Sequence, residues 1–315
     1  MKKKYKDKIS IIVPCYNEEE ALPIFYKEIN ALSQKMDSID FEFLFIDDGS
    51  YDNTLEILRK IAKKDKRVKY YSFSKNFGKE AGMYAGLEKS TGNFVAIMDA
   101  DLQDPPEMLA VMYKELQKEE YECVALYSTN HQDYVFPRKQ LTKLWYKIEH
   151  SISESKQPAG ARDFRLMKRI MVDAIISTRE YNRYTKGLFD FVGFQTKWIS
   201  YEIPNRKVGK SKFSLSKLIK YAIDGITSFS PKPLLLSAYI GMAFCLLAFV
   251  AIVFIIGKTI FFGDPVAGWP SMTCIIIFVS GIQLFFLGII GTYLSKIYLE
   301  VKNRPIYIIK ETNEK

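Results

Sequence analysis

Apolar and amphipathic segments alternate along residues 1–125 of the chain. Four short apolar stretches, typical of buried strands, lie at Ile9–Pro14, Phe41–Ile46, Val68–Phe73 and Phe94–Met98. Three segments of helical character lie between them, at Glu18–Lys35, Asp52–Lys64 and Lys79–Lys89. Alternation at this spacing predicts an α/β fold, in which a parallel sheet is covered by helices on both faces.

Residues 126–213 have a less regular pattern, with a helical stretch near Lys139–Ile152 and an apolar-basic segment at Asp163–Arg169. The next segment, Ser214–Phe229, carries its apolar residues on one helical face. We interpret it as an amphipathic helix lying in the lipid headgroups. The alternative is that this helix packs against the soluble domain.

Two long runs, Leu234–Gly257 and Pro265–Ser295, contain no charged residue. About 20 apolar residues are enough to cross a bilayer as a helix. The two runs and their short connection, Lys258–Pro270, therefore predict a transmembrane hairpin, with buried core helices as the alternative. Lysine and arginine flank both outer ends of the hairpin, which predicts a plasma-membrane protein whose soluble region and two termini are cytoplasmic. No signal peptide is expected at the lysine-rich amino terminus.

The formal net charge of +9 is concentrated between Arg206 and Lys232, where Asp224 is the one acidic residue. A basic segment beside a membrane span is typical of contact with anionic lipid. Nucleic acid is the competing partner, but no nucleic-acid-binding motif accompanies the segment, and we expect none to bind. The four cysteines show no C-x-x-C spacing and are expected to be reduced, as in the cytosol.

Polar clusters follow the four predicted strands, at Pro14–Glu18, Asp47–Ser50, Lys75–Lys79 and Asp99–Asp101. Because ligands of such sheets bind beyond the carboxyl ends of the strands, we expect these clusters to form one site. Asp99 and Asp101 point the same way in an extended chain. Two such carboxylates can hold Mg²⁺ or Mn²⁺ when phosphate oxygens complete the coordination, as in nucleotide diphosphate binding. A bare Asp-x-Asp is more often a solvated turn, but this pair ends an apolar strand and precedes Pro105-Pro106.

With these clusters in place, the chain resembles polyprenyl-phosphate glycosyltransferases of the family 2 type. These include bacterial undecaprenyl-phosphate glucosyl- and N-acetylglucosaminyltransferases and dolichol-phosphate mannose synthases. The matching motifs are Ile11–Glu19, Phe45–Ser50, Ser74–Glu80, Met98–Pro106, Asp163–Leu166, Gly209–Lys212, Asp224–Phe229 and Ile297–Pro305. They span nearly the full length of the chain in the right order. The resemblance implies a cytosolic, Rossmann-like domain of the glycosyltransferase A type, followed by the amphipathic helix and the two-helix transmembrane hairpin.

This resemblance, combined with the patterns above, divides the chain into five parts. Residues 1–125 are expected to be the nucleotide-sugar-binding half, and residues 126–213 the acceptor-binding half. The amphipathic juxtamembrane helix is assigned to residues 214–232, the hairpin to 233–298 and a cytosolic tail to 299–315.

The resemblance also implies roles for individual residues. Binding of the nucleotide sugar is assigned to Pro14, Tyr16, Glu18, Asp48, Lys79, Asp99 and Gln103, of which the first four would hold base and ribose. The metal and the diphosphate are assigned to Asp99, Asp101 and Gln103. Asp101 and Asp163 are the catalytic candidates, with Asp163 on the acceptor side as a base or a positioning carboxylate. Binding of the acceptor phosphate is assigned to Arg138, Arg206 and Lys212.

The implied reaction is inverting, Mg²⁺- or Mn²⁺-dependent transfer of a sugar from a nucleotide sugar to undecaprenyl phosphate, for glycosylation of the cell envelope. UDP-glucose or UDP-N-acetylglucosamine is the expected donor. A polyprenyl phosphate has a second pKa of about 6, so its oxygen is already a nucleophile at neutral pH. We therefore expect Asp163 to orient the acceptor more than to deprotonate it. Relatives assemble as tetramers, so the resemblance also implies a homo-oligomer.

The chain departs from the family pattern in two places. The stretch after the fifth strand has no arginine before Arg138, and Arg162 stands where relatives often have glycine. Arg162 either replaces the missing cation or is a solvated surface residue. His131 is interpreted as a loop residue, because neither a second histidine nor a cysteine stands near it.

Other functions remain alternatives at this point. GDP-mannose could be the donor, as in dolichol-phosphate mannose synthases, or the chain could be an inactive relative that binds lipid or nucleotide. A processive polysaccharide synthase would need a Gln-x-x-Arg-Trp motif and more spans, and neither is found. A channel or transporter is disfavoured because neither uncharged run contains a charged residue to line a path.

Overall fold

The computed structural model describes residues 7–118, 120–129, 157–158, 160–201, 232–262 and 268–314. The chain forms two compact units. The first consists of Met1–Leu215 together with Arg304–Lys315, and the second of Ser216–Asn303. The carboxyl-terminal residues therefore return to the first unit after the chain has passed through the second.

The first unit is built from eight strands and six helices among its described residues. The strands are β1 (Asp7–Cys15), β2 (Ile39–Asp47), β3 (Val68–Phe73), β4 (Phe94–Ile97), β5 (Cys123–Ser128), β6 (Ala161–Lys168), β7 (Thr196–Tyr201) and β8 (Ile309–Thr312). The helices are α1 (Ala21–Lys35), α2 (Thr54–Lys64), α3 (Lys79–Lys89), α4 (Met108–Leu116), α5 (Arg169–Ser177) and α6 (Thr185–Phe191).

All eight strands belong to one mixed sheet, in the order β7-β5-β6-β4-β1-β2-β3-β8. The parallel sheet predicted for the first part of the chain is confirmed for β1 to β4. β6 lies between β4 and β5 and runs antiparallel to both, and β8 runs antiparallel to β3. This α/β architecture is the one expected of the glycosyltransferase A type.

We expected little regular secondary structure in residues 126–213. That expectation was wrong for the part of the range that the structure describes. Strands β6 and β7 and helices α5 and α6 lie there. The apolar pattern did not predict β6, because this strand includes the charged residues Asp163, Arg165 and Lys168. The helix predicted near Lys139–Ile152 lies outside the described residues.

Two hydrophobic clusters cover the two faces of the sheet. Alternate residues of β1 divide between them: Ile11 belongs to one cluster and Ile12 to the other, as the period of two in a strand requires. Helices α1, α2 and α4 contribute to the Ile11 side, and α3 and α5 to the Ile12 side. The prediction of helices on both faces is confirmed.

The strand β8 covers the β3 edge of the sheet and was not predicted. The guanidinium of Arg59 on α2 pairs with Glu311, whose carboxylate also accepts a hydrogen bond from the Tyr70 hydroxyl at 2.7 Å. The ring of Tyr307 stacks on that of Phe73, with centroids 5.0 Å apart. Covering β3 in this way withholds its backbone groups from pairing with another chain.

The second unit contains two long helices, α7 (Lys232–Phe262) and α8 (Trp269–Val301). The rings of Phe244 and Phe278 lie 6.2 Å apart across the pair. Among the described residues, the segment Phe278–Val301 is long and apolar enough to cross a membrane. The two-span hairpin stays a prediction, and the amphipathic helix at Ser214–Phe229 lies outside the described residues.

Close packing of α3 on β1 yields a test of the fold. A Cβ added at Gly86 would lie 2.1 Å from Cγ2 of the buried Ile12, whereas one at Gly82 would lie 3.5 Å from the Pro14 Cβ, an ordinary contact. We expect Gly86→Ala to lower the free energy of unfolding by about 1–3 kcal/mol, because the helix must move off the strand. Gly82→Ala should be neutral or stabilising by up to about 1 kcal/mol.

Urea unfolding of both variants, followed by tryptophan fluorescence in detergent micelles, measures this difference. Equal stability of the two variants would contradict the close approach of α3 and β1.

Candidate active site

The end of β4 and the beginning of β6 meet at one edge of the sheet. Ile97, the last residue of β4, pairs with Arg165 in the antiparallel register. Asp99 lies two residues beyond Ile97, and Asp163 two residues before Arg165. The register therefore brings the predicted metal-binding and acceptor-side carboxylates together, although 63 residues separate them along the chain.

The side chain of Lys79 joins these two carboxylates. Its Nζ lies 2.7 Å from Oδ1 and 2.8 Å from Oδ2 of Asp99, and 2.6 Å from Oδ2 of Asp163. Although burial acts to lower the pKa of Lys79, Asp99 and Asp163 outweigh it and raise the pKa above its usual range. Lys79 is therefore charged at any physiological pH.

A second lysine, Lys186, approaches Asp163 from α6, with Nζ 3.7 Å from Oδ1. Glu80 fixes this helix, because its carboxylate accepts hydrogen bonds from the backbone N–H of Thr185, at 2.9 Å, and from the Thr185 hydroxyl. Burial alone would raise the pKa of Asp163, but Lys186 and Lys79 reverse the shift and hold the pKa well below its usual range. An acid held so firmly in its ionised form is a weak proton acceptor.

The negative charge of Asp101 is offset less by neighbouring cations than that of Asp163. Its Oδ1 accepts a hydrogen bond from the backbone N–H of Gln103 at 3.2 Å, across a turn in which Leu102 has φ of +55°. Burial, followed by the negative charge of Asp99, raises the pKa of Asp101. A cation placed between Asp99 and Asp101 would relieve this repulsion.

The donor set of Asp99 and Asp101 fits a divalent cation that shares its coordination with a ligand. Among the described residues, no group of three or more histidine, cysteine or acidic side chains forms a complete metal cage. Mg²⁺ and Mn²⁺ are commonly held by one or two carboxylates together with phosphate oxygens and water. The third predicted ligand, Gln103, has its Oε1 within 3.1 Å of Nη2 of Arg162.

Arg162 is not a solvated surface residue. Its Nε donates to Oδ1 of Asp104 at 2.9 Å, and its side chain is 25% exposed. Asp104 is buried and also accepts a hydrogen bond from the Tyr201 hydroxyl. Burial raises the pKa of Asp104, and Arg162 opposes the shift. Arg162 thus joins β6 to the turn that carries the Asp-x-Asp motif.

The nucleotide-binding candidates lie on two loops that hold each other. Asn17, with φ of +55°, donates its backbone N–H to Oγ of Ser50 at 3.0 Å and accepts at Oδ1 from the Tyr51 N–H at 2.9 Å. The backbone N–H of Glu18 donates to Oγ1 of Thr54 at 2.9 Å. These bonds fix the loop that carries Pro14, Tyr16 and Glu18. The exposed ring of Tyr51 meets the ring of Tyr16 edge-on, with centroids 6.4 Å apart.

Asp48 has a structural task in addition to its predicted role with base and ribose. Its carboxylate accepts the backbone N–H groups of Phe77 at 2.6 Å and Gly78 at 2.9 Å, and so shapes the loop leading to Lys79. Gly49 lets this loop approach, because a Cβ there would lie 2.5 Å from the carbonyl carbon of Lys75. Asp48 therefore positions the lysine that joins Asp99 to Asp163.

Four residues with predicted assignments lie outside the described residues. They are Arg138, Arg206 and Lys212, assigned to the acceptor phosphate, and His131, interpreted from the sequence as a loop residue. The sequence interpretation missed Lys186, Glu80, Asp104, Tyr51 and Tyr201 as parts of the site. Of these, Glu80 and Asp104 stand inside recognised motifs, which was a usable signal. Nothing in the sequence links Lys186 or Tyr201 to the aspartates, because only the packing of α6 and β7 brings them near.

The pairing of Arg162 with Asp104 generates a pH-dependent prediction. We expect Arg162→Met to lower the free energy of unfolding by about 1–3 kcal/mol at pH 7, because a buried carboxylate loses its cation. The folded-state pKa of Asp104 is already raised, so protonation favours the folded protein. The deficit of the variant should therefore shrink as the pH falls from 7 toward about 5.

Urea unfolding at both pH values tests this prediction, with Arg162→Lys as the charge-preserving control. A deficit in Arg162→Met that is independent of pH would contradict the electrostatic account of the pair.

The model of glycosyl transferase family 2 matches residues 10–176. The SfII prophage-derived bactoprenol glucosyl transferase of Shigella flexneri is 41% identical over 307 residues, which cover 97% of this chain and 98% of that protein. The putative glycosyltransferase CsbB of Bacillus subtilis (strain 168) is 40% identical over 305 residues, covering 97% and 92%.

Among solved structures, that of glucosyl-3-phosphoglycerate synthase from Mycobacterium tuberculosis in complex with Mn²⁺ and UDP-glucose is similar, with a TM-score of 0.46 and 18% identity. The similarity covers 70% of this chain and 77% of that one. The family match and the two full-length relatives carry the assignment. The chain is therefore a glycosyltransferase and belongs to glycosyl transferase family 2, in the polyprenyl-phosphate group that its motifs resemble.

Proposed function

We propose that the protein transfers glucose from UDP-glucose to undecaprenyl phosphate, in one displacement with inversion at the anomeric carbon. The observation that carries the proposal is the Lys79 bridge, which brings the donor-side Asp99 and the acceptor-side Asp163 within the reach of one ammonium group. A diphosphate at Asp99 and Asp101 and a phosphate beside Asp163 would meet at this point. The name of the Shigella relative, a bactoprenol glucosyl transferase, supports both the sugar and the lipid.

On the donor side, the chain supplies a fixed pair of loops and a set of charges. Tyr16 and Tyr51 present two aromatic rings at the end where the base would lie, and Glu18 is held beside them. Asp99 and Asp101 would hold Mg²⁺ or Mn²⁺, which supplies neutralisation of the departing diphosphate when it is bound. Gln103 and Arg162 support the turn on which Asp101 stands.

On the acceptor side, the chemistry requires little proton transfer. The phosphate oxygen attacks the anomeric carbon while the bond from that carbon to the diphosphate breaks. Because most of the acceptor is already dianionic at neutral pH, no strong base is needed. Asp163, held ionised by Lys186 and Lys79, is suited to position those two lysines rather than to accept a proton. Cations are what two approaching phosphate groups require.

A membrane location is part of the proposal. The segment Phe278–Val301 supports at least one span, and the uncharged run Leu234–Gly257, within α7, supports a second. Undecaprenyl phosphate is retained in a bilayer by its hydrocarbon chain, so an enzyme anchored beside that bilayer meets its acceptor there. We propose that the basic segment Arg206–Lys232 contacts the headgroup region, that the catalytic unit is cytoplasmic, and that the protein is a homo-oligomer.

The proposal is tested by incubating the full-length protein in detergent micelles with undecaprenyl phosphate, Mn²⁺ and one nucleotide sugar at a time. UDP-glucose, UDP-N-acetylglucosamine, UDP-galactose and GDP-mannose form the panel, and mass spectrometry of the lipid names the product. A hexose product from UDP-glucose alone is the expected result. Product from GDP-mannose alone would overturn the donor, and nucleotide binding without any product would indicate an inactive relative.

The two aspartates should differ in their contribution to the rate. We expect Asp101→Asn to lower kcat/KM by about 100-fold or more, because a ligand of the diphosphate-bound cation is lost. Asp163→Asn should lower kcat/KM by only about 10-fold, because the proposal gives Asp163 a positioning role. Loss of a general base would lower it by about 100- to 10,000-fold. Initial rates measured with saturating Mn²⁺ decide between these values. Turnover of Asp101→Asn equal to that of the wild type would refute the metal assignment.

The pH dependence of the rate separates the acceptor from Asp163. The folded-state pKa of Asp163 is lowered, so the residue stays ionised throughout the neutral range. The rate should fall below about pH 6, where the acceptor phosphate takes up a proton. This fall should persist in Asp163→Asn. Its disappearance in kcat profiles of that variant would identify Asp163 as the general base.

A further inference from the structure

The ammonium group of Lys79 contacts both carboxylate oxygens of Asp99. The two Nζ–Oδ distances, 2.7 and 2.8 Å, place the nitrogen symmetrically against the carboxylate. This is the face through which a cation bound to the carboxylate would also approach. Among the described residues, Lys79 is the cation that contacts both Asp99 and Asp163.

A divalent ion held by Asp99 and Asp101 would compete with the ammonium group in its present position. Lys79 already contacts both oxygens of Asp99, and two cations held against one carboxylate would repel each other. Lys79 has a second carboxylate available, since Asp163 accepts from it at 2.6 Å. Its side chain is 42% exposed and carries a flexible four-carbon stem, so a rotamer change can move the ammonium without moving the helix.

We propose that Lys79 is an exchangeable counter-ion: it occupies the cation position of Asp99 in the donor-free enzyme and leaves Asp99 when the nucleotide-bound metal arrives, keeping Asp163 as its partner. The inference rests on the proposed function, in which the metal enters with the diphosphate. Exchange keeps the charge at Asp99 balanced in both states. It also frees donor positions on the ammonium next to Asp163, where phosphate groups would come together.

The arrangement has a measurable consequence for the metal alone. A bare divalent ion must displace Lys79 without help from phosphate oxygens, so its affinity for the wild-type protein should be low. Removing the ammonium should raise that affinity. Lys186 provides a matched comparison, because it contacts Asp163 at 3.7 Å and makes no described contact with Asp99.

The experiment measures binding of Mn²⁺ alone, without nucleotide, to the full-length protein in detergent micelles, by the electron paramagnetic resonance signal of free Mn²⁺. We expect Lys79→Met to bind Mn²⁺ about 10-fold more tightly than the wild type, because a competing positive charge is gone. Lys79→Arg should resemble the wild type. Lys186→Met removes the same charge nearby and should raise the affinity less than Lys79→Met does, because Lys186 makes no described contact with Asp99.

Two further variants test whether the gain in affinity belongs to the aspartate pair. Lys79→Gln should reproduce the gain of Lys79→Met, which guards against a misfolded methionine variant. Lys79→Met combined with Asp101→Asn should lose the gain, because the tighter site consists of Asp99 and Asp101. Unchanged or weaker Mn²⁺ binding in both Lys79→Met and Lys79→Gln would overturn the proposal, as would an equal gain in Lys186→Met.

The outcome is separable from that of the proposed function. If the wild type transfers no sugar but Lys79→Met binds Mn²⁺ more tightly, the counter-ion role stands and the reaction assignment falls. If the wild type forms the glycolipid but neither Lys79 variant gains affinity, the reaction assignment stands and the exchange does not occur.

Discussion

The site depends on an electrostatic constraint: three carboxylates, Asp99, Asp101 and Asp163, meet at one edge of the sheet and must be balanced by cations. Lys79 bridges two of them, and Lys186 adds a second positive charge to Asp163. Asp101 is left with a raised pKa, because burial and Asp99 both oppose its charge. A further cation between Asp99 and Asp101 would relieve this repulsion, as the proposed binding of a metal and a nucleotide diphosphate requires.

The surrounding structure keeps these charges in place by fixing backbone with side chains. Asp48 holds the loop that leads to Lys79, and Glu80 holds the helix that carries Lys186. Behind Asp163, the buried Arg165 packs its guanidinium 3.5 Å from the centroid of the Phe189 ring. Arg162 anchors β6 to the Asp-x-Asp turn through Asp104. Many polar side chains of the family motifs therefore hold the loops in place. Only some of them remain available to contact a substrate.

A polar residue in a family motif can therefore have a structural role where its residue type suggests ligand binding. An acidic pair such as Asp47-Asp48 suggests ligand binding, yet Asp47 accepts from Ser50 and Ser72, and Asp48 from two backbone N–H groups. Asp99, a predicted metal ligand, has both carboxylate oxygens in contact with the Lys79 ammonium group. Arg162, a departure from the family pattern, is bonded to Gln103 and Asp104 beside the Asp-x-Asp motif rather than left to solvent.

The sequence alone determined the first four strands, the helices between them and the convergence of their polar ends, because each of these follows from local periodicity and from the rule for parallel sheets. Its motifs also determined the family. The partners of the predicted site carboxylates came only from the tertiary structure. Asp163 reaches Asp99 because β6 is inserted antiparallel beside β4, and Lys186 reaches Asp163 because Glu80 fixes α6. Strand β8 is likewise absent from any local pattern, since it is defined by pairing with β3 across more than 200 residues. Contacts between residues so distant in the chain depend on register and packing, which no short stretch of sequence encodes.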